Sequence, residues 1–398
     1  MNKYRNHKYI TLILAGLTMI GPLAIDTYLP SFLAIGRDFQ VSPLALQQTL
    51  SAFLATFAFM MLFYGTLSDS FGRRPVILIS LAVYCIASFG AAVAPSFGWL
   101  LACRVLQGLA AGGGSVVGRA IVQDRTSGAE AQKMMSQIMM VFGLAPAIAP
   151  VLGGWLQVAF GWRSVFVFLG VFGVMMISIC YYWLPESLPK QARHPFHLGA
   201  IAANYWKVLR HRKFIFLALA LGTAFSAFAL YIGSAANFVM HILHLPETAF
   251  AWMFIPLVGG LVLGSAVSAR LAMRFGPMRF IRVGYCVMFA ASIASIAYNY
   301  VFVADVPWAV LPLAAYAFGM ALATPAITVM TLSLFPKNSG LVSSLQSSIQ
   351  MLVFALVSGL VAPLLFDSAL KLACGMLGGV TLSLLFWRLG RSCGSAAA

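Results

Sequence analysis

The stretch Tyr9–Pro30, YITLILAGLTMIGPLAIDTYLP, is an apolar run long enough to cross a hydrocarbon core of ~30 Å as a helix, and near its far end it carries one carboxylic acid, Asp26. Similar runs follow along the whole chain. They begin near Pro43, Pro75, Phe97, Ala131, Trp162, Phe214, Thr248, Ile281, Trp308, Leu341 and Ala369, and turns carrying Gly, Pro or charge separate most of them. Of 398 residues 61% are hydrophobic and 9% charged, and the mean hydropathy is +0.93; an ordinary soluble domain has roughly 25% charged residues. The chain reads as an all-α integral membrane protein with twelve transmembrane helices. The basic segment Met1–Lys8 before the first run is placed as in a secretory leader, but the run is too long for a leader's apolar core, contains Asp26 and precedes further spans. It is read as a retained span one.

The charges orient the spans. All 25 Lys and Arg residues except Arg37, Arg163, Lys371 and Arg104 fall in the N-terminus, the even-numbered turns or the C-terminus. Under the positive-inside rule both termini are cytoplasmic. The net charge of +16 then reports topology. Nucleic-acid binding fits less well, because the basic residues are spread over short loops. The six cysteines show neither a disulfide framework nor metal-ligand spacing, and no cofactor is implied.

The longest polar interval, Pro185 to Lys213, divides the chain into an N-terminal six-helix bundle, 1–184, a cytoplasmic linker, 185–213, and a C-terminal six-helix bundle, 214–398. Inside the linker, Pro195–Val208 has aromatic and basic residues suited to an interfacial helix or to a plain connection. The turn after span two, Leu67–Arg74, and the turn after span eight, Leu271–Arg279, keep Leu, Phe and Gly at the same spacing, with Met273 where the first has Asp69. Such repetition suits two pseudo-symmetric bundles with binding near the midplane.

Eight of the nine acids fall at span ends and Asp26 alone falls within one. An ionisable group there is a functional-site candidate; a capping or interfacial role before Pro30 is the bland alternative. Arg104, in LLACRVLQGLAAGGG, is the cation expected at similar depth in span four. A pair, direct or through water, would offset the desolvation of both, either as a fixed packing element or as a proton-coupling site. Burial and a neighbouring cation act on a carboxyl in opposite directions, so a change in either would load or release a proton.

Three further segments carry a resemblance. GTLSDSFGRRP (65–75) resembles the signature between spans two and three of the major facilitator superfamily, RVLQG (104–108) the R-x-x-Q-G element of span four in its proton-driven members, and GLAPAIAPVLGG (143–154) the span-five antiporter motif, with Ala147 in place of a glycine. Together with AIDTYLPSF (24–32), they make the first half similar to the bicyclomycin and chloramphenicol resistance (Bcr/CflA) group of twelve-span drug:proton antiporters. The resemblance implies a conformational latch of Gly65, Asp69, Gly72, Arg73 and Asp124, and an antiport helix bearing Gly143, Pro146, Pro150, Gly153 and Gly154. The plain readings are a tight turn with a helix cap, and close packing of a bent helix.

The substrate-lining candidates are Tyr28, Phe53, Phe57, Gln107, Met139, Tyr231, Asn237, Gln346 and Gln350, an apolar and aromatic set with few fixed polar groups. It suits small amphipathic molecules, such as amphenicols or bicyclomycin-like compounds, exchanged for protons by a monomer in the bilayer. Asn237 stands where the resembled group commonly has proline. The expectation is a proton-coupled exporter working by alternating access; an exporter of an endogenous metabolite, a nutrient symporter and a membrane sensor are the alternatives. No nucleophile–base set, metal cluster or phosphate loop suggests an enzyme.

Overall fold

The computed structural model describes residues 2–126, 128–193, 198–271, 276–335 and 339–392. Twelve helices among them are long and apolar enough to cross a membrane. In chain order these spans are Tyr9–Phe39, Pro43–Phe71, Arg73–Ala92, Phe97–Arg125, Gly143–Phe160, Trp162–Trp183, Arg212–Gly233, Ala251–Ser268, Pro277–Val301, Leu311–Leu332, Leu341–Leu365 and Ala369–Ser392. The fifth belongs to a longer helix, Gly128–Phe160. Helices answer the bilayer's first demand, that every backbone N–H and C=O be bonded within its own segment.

Local chemistry sets many of the ends. Ser42 Oγ accepts from Ala45 N with Pro43 in the first turn, Ser96 Oγ accepts from Trp99 N, and His211 Nδ1 accepts from Phe214 N, each at 3.3 Å. These side chains cap spans two, four and seven. Spans two and three are separated by Gly72 alone, at φ +100°, and spans five and six by Gly161, at φ +79°. Only glycine adopts such angles without a steric penalty.

The chain divides into two compact units, Met1–Ile201 and Ala202–Ala398. The boundary falls inside a short helix, Leu198–Leu209. In the first unit span one packs on five, two on four and three on six; in the second, seven packs on eleven, eight on ten and nine on twelve. The pairings repeat although the turn after span eight, residues 272–275, lies outside the described residues. Small residues allow the closest contacts: a Cβ on Gly108 would lie 2.3 Å from the Phe53 carbonyl oxygen, and one on Gly260 would lie 2.0 Å from that of Ala314.

The first unit is tied at the end opposite its N-terminus. Arg163 Nη1 and Trp162 Nε1 donate to Asp38 Oδ2 at 2.7 and 3.0 Å, and the Arg163 guanidinium lies 4.2 Å from the Trp162 ring centroid. Span six is thereby fixed to the end of span one. Tyr181, Tyr182 and Trp183 are exposed at its other end, as an aromatic belt requires.

The neighbouring glycines of span eight give a paired test of this packing. Gly260→Val has no room against Ala314 and is expected to cost roughly 1–3 kcal/mol; Gly259→Ala, with nothing within 4 Å of its added carbon, is expected to be near neutral. Thermal unfolding of the two variants in the same detergent checks the difference.

Candidate functional site

Span one is interrupted at the acid. Its helix runs Asn2–Asp26, a 3-10 turn follows at Leu29–Ser31, and helix resumes over Phe32–Phe39. Pro30 supplies no N–H, which favours the interruption at this point. Asp26 is 2% exposed, and its Oδ1 has no hydrogen-bond partner among the described residues. It caps no helix: the residue before Phe32–Phe39 is Ser31. A buried polar atom without a partner is costly, and far more so when charged.

Arg104 is completely buried. Its Nη1 donates to the Ala24 carbonyl oxygen at 3.1 Å and to Gln107 Oε1 at 2.8 Å, and its guanidinium sits 4.3 and 4.4 Å from the ring centroids of Tyr28 and Phe53. Cation–π contacts of this kind contribute about 0.5–2 kcal/mol each when desolvated. Nε and Nη2 have no hydrogen-bond partner among the described residues. Of the two forms of the Asp26–Arg104 pair expected from sequence, direct or through water, the direct one is not formed: no ion pair within 4.0 Å joins them among the described residues. Nη1 is taken by main-chain and amide oxygens, and two rings flank the guanidinium.

The residues around Arg104 hold one another. Gln107 Nε2 donates to Ser88 Oγ at 2.8 Å, so both ends of this amide are used and span four is tied to span three. Tyr28 hydrogen-bonds Thr49 on span two, and its ring packs 4.8 Å from Phe32 and 5.8 Å from Phe166. Phe57 stacks on Phe53 at 6.0 Å. Span five completes the setting: a Cβ on Gly153 would lie 1.8 Å from the Thr27 carbonyl oxygen, immediately beside Asp26. Its helix is unbroken through Pro146 and Pro150. Gly154 is buried, and Gly143 has nothing within 4 Å of an added carbon.

Three of the remaining lining candidates have partners of their own. Tyr231 packs on Phe238 at 5.2 Å, Asn237 Nδ2 donates to the Phe366 carbonyl at 2.5 Å, and Gln346 Nε2 donates to Thr328 Oγ1 at 3.3 Å. All three belong to the second unit, as does Gln350, which is half-buried. The Met139 side chain lies outside the described residues.

The latch residues do converge, apart from one. Arg73 Nη1 reaches Asp69 Oδ1 at 2.5 Å and Ser68 Oγ at 2.7 Å, while its Nε reaches Asp124 Oδ2 at 3.1 Å. Gly65 lies within the Pro43–Phe71 helix and not in the turn, because only Gly72 has the backbone angle that a one-residue junction needs. Sequence reasoning missed Glu186. Its Oε1 accepts from Arg73 N at 3.0 Å and its Oε2 from Arg74 N at 3.2 Å, so a carboxylate from beyond span six sits on the positive N-terminus of span three. Arg193 Nη2 approaches the same carboxylate at 3.7 Å, and Ser187 Oγ donates to Asp124 at 2.7 Å. The signal in the sequence was an acid directly after a span whose neighbour starts with two free N–H groups and no capping side chain.

Arg119 was also misplaced. Sequence reasoning put it in the turn after span four, but it lies inside Phe97–Arg125, where its Nε donates to Ser115 O at 3.3 Å.

A family model described as Major Facilitator Superfamily matches residues 14–358. The chain belongs to that superfamily. It is a multi-pass membrane transporter for small molecules, not an enzyme. It is 27% identical over 385 residues to a bicyclomycin resistance protein homolog of Haemophilus influenzae, covering 97% of this chain and 96% of the relative. It is 26% identical over 350 residues to multidrug resistance protein D of Escherichia coli, covering 88% and 87%. The crystal structure of a D-xylose-proton symporter shares the fold, with a TM-score of 0.74 at 16% identity over 96% of this chain and 97% of that one.

Glu186→Ala removes the cap from span three and the anchor of the segment that follows span six. The loss is expected to be about 1–2 kcal/mol and to speed tryptic cleavage after Lys190 and Arg193 severalfold. Timed digestion of the purified protein measures it; an unchanged rate would mean that the anchor does not hold this segment.

Proposed function

We propose that this transporter exports small amphipathic molecules across a bacterial inner membrane in exchange for protons, with Asp26 as the proton-carrying group. The observation that carries the reading is a carboxyl buried within a span, beside a helix break, with no cation within 4.0 Å among the described residues. Protonation removes the charge that burial penalises; deprotonation restores it and calls for Arg104, water or a conformational change to meet it. Arg104 is anchored at Ala24, two residues from Asp26, so a rearrangement of the break alters the surroundings of both groups. Whatever substrate stabilises the ionised form promotes proton release, by reciprocity of coupling.

The remaining roles follow the same reading. Gly153 keeps span five against Thr27, so motion of span five acts directly on the break. Asp69, Gly72, Arg73 and Asp124, with Gly65 on the same helix, form a latch that biases the inward and outward states. Pro146 and Pro150 give the antiport helix its sparse hydrogen bonding, Gly154 a buried small-residue position, and Gly143 an open one. The lining set of Tyr28, Phe53, Phe57, Gln107, Met139, Tyr231, Asn237, Gln346 and Gln350 offers aromatic surface and neutral amides. Such a lining suits amphenicols or bicyclomycin-like compounds better than sugars or phosphates. The resistance names of the two relatives support this substrate class. The domain limits 1–184, 185–213 and 214–398 remain those of the proposal. Both termini are taken as cytoplasmic on the distribution of Lys and Arg, and the protein as a monomer.

Everted vesicles with an acid interior, reported by a pH-sensitive dye, test the coupling. Addition of a transported compound is expected to discharge the gradient with the wild type and not with Asp26→Asn, while Asp26→Glu keeps part of the response. Equal discharge by wild type and Asp26→Asn would remove Asp26 from the coupling. A second variant probes the cation: Arg104→Lys keeps the charge but loses the planar fork between two rings, and is expected to lower the rate at least tenfold. A wild-type rate in that variant would reduce Arg104 to a point charge.

A further inference from the structure

Spans nine, Pro277–Val301, and twelve, Ala369–Ser392, are joined in the second unit by a hydrogen bond from Tyr285 to Ser383 at 2.8 Å, and Ser383 donates in turn to the Ala220 carbonyl at 2.7 Å. Near the start of span nine and the end of span twelve, they enclose a groove of about 930 Å³. Three arginines line it: Arg282 from span nine, and Arg388 and Arg391 from span twelve. All three are exposed, and no carboxylate is among the lining residues.

A second, independent observation is the groove's floor. Trp387 is 5% exposed, and its Nε1 has no hydrogen-bond partner among the described residues. A buried indole N–H ordinarily finds an acceptor. Farther along the spans from the arginines the lining turns apolar, with Phe289 and Leu384. The groove thus runs from cations and an unused donor to hydrocarbon surface, along the membrane-crossing direction of two helices.

We propose that it binds an anionic phospholipid, with the phosphate held by Arg282, Arg388 and Arg391, an oxygen of the headgroup or ester accepting from Trp387, and one acyl chain along Phe289 and Leu384. Arginine presents planar forks that match phosphate oxygens. Basic pockets between membrane helices are suited to anionic headgroups. A soluble anion would use the three cations but not the apolar track. A neutral lipid would use the track and leave three like charges close together. The site is independent of Asp26 and of the direction of transport.

The test uses the full-length protein in detergent, with bound lipid counted by native mass spectrometry during titration with phosphatidylglycerol or phosphatidylcholine. Phosphatidylglycerol is expected to bind about tenfold more tightly. That preference should fall roughly fivefold for each of Arg388→Gln and Arg391→Gln and weaken as salt is raised. An unchanged preference in the Arg282→Gln, Arg388→Gln, Arg391→Gln triple variant would overturn the site. Displacement of the lipid by an equal concentration of inorganic phosphate would make it a free-anion site and overturn the lipid.

Cys286 lines the same groove and is exposed. With Cys374→Ser and Cys393→Ser, and the arginines intact, its maleimide labelling in nanodiscs is expected to slow severalfold when phosphatidylglycerol replaces phosphatidylcholine. Equal rates in the two lipids would overturn the proposal even if the arginine variants fail to fold.

Discussion

A membrane helix satisfies its own backbone but not its charges, and the first unit is organised around this inequality. Asp26 and Arg104 are both buried, and they are not paired with each other among the described residues. Arg104 is made tolerable by borrowed electron density: a main-chain oxygen, an amide oxygen and two aromatic faces. Each of these needs its own support. Gln107 is oriented by Ser88 and Tyr28 by Thr49, so spans one to four are committed to one arrangement around a single guanidinium. Asp26 has no comparable set. The asymmetry agrees with the proposed proton-carrying role of the acid, because neutralising Asp26 relieves a burial penalty while the charge of Arg104 is held by contacts from four spans.

The position of the acid at the interruption of span one adds to this. The contact of Gly153 with the Thr27 carbonyl makes the break a point of close helix approach, where backbone meets backbone without an intervening side chain. Packed interfaces of that kind move by discrete repacking and not by gradual deformation. At the N-terminal end of the same unit, the single-residue junction at Gly72 leaves the first N–H groups of span three without a capping side chain, and Glu186 supplies the missing acceptor. A Cβ at Gly72 would fall 2.6 Å from both Glu186 Oε2 and Arg193 Nη2, so this glycine serves the backbone angle and the approach of the cap alike.

The spans and their number were legible in the sequence because hydrophobic length specifies them, whereas the meeting of Asp69, Arg73 and Asp124 was legible only through the resemblance, since Asp124 lies 51 residues from Arg73. The single buried acid was legible for the same reason: one carboxylate in an apolar run stands out. What Arg104 touches was not, because its partners are a carbonyl and two rings from other spans, and carbonyls leave no trace in residue type. Opposite charges at similar depth suggested a pair; depth along a helix says nothing about rotation around it. Glu186 was hidden by its ordinary setting among polar residues after span six, and Arg119 by span limits drawn too short. Gly65 was assigned to the turn from motif membership, although helix continues past it to Phe71.

The duplication sharpens the contrast between the two ends of the chain. Spans nine and twelve pair in the second unit as three and six do in the first. In the first, the arginines beside this pairing are answered from within: Arg73 by Asp69 and Asp124, and the start of span three by Glu186. In the second, the sequence from Gly276 to Phe289 and from Leu384 to Ser392 contains no acid, and Met273 stands where Asp69 would be. The groove arginines Arg282, Arg388 and Arg391 are the second unit's own: in the aligned turns Pro277 and Met278 stand where the first unit has Arg73 and Arg74, and no acid accompanies them. Cations gathered in a groove without counter-charges repel one another unless something outside the chain neutralises them. In a bilayer the nearest abundant anion with an apolar tail is a lipid, so the same architectural position that is sealed by a carboxylate in one unit is left for the membrane to fill in the other.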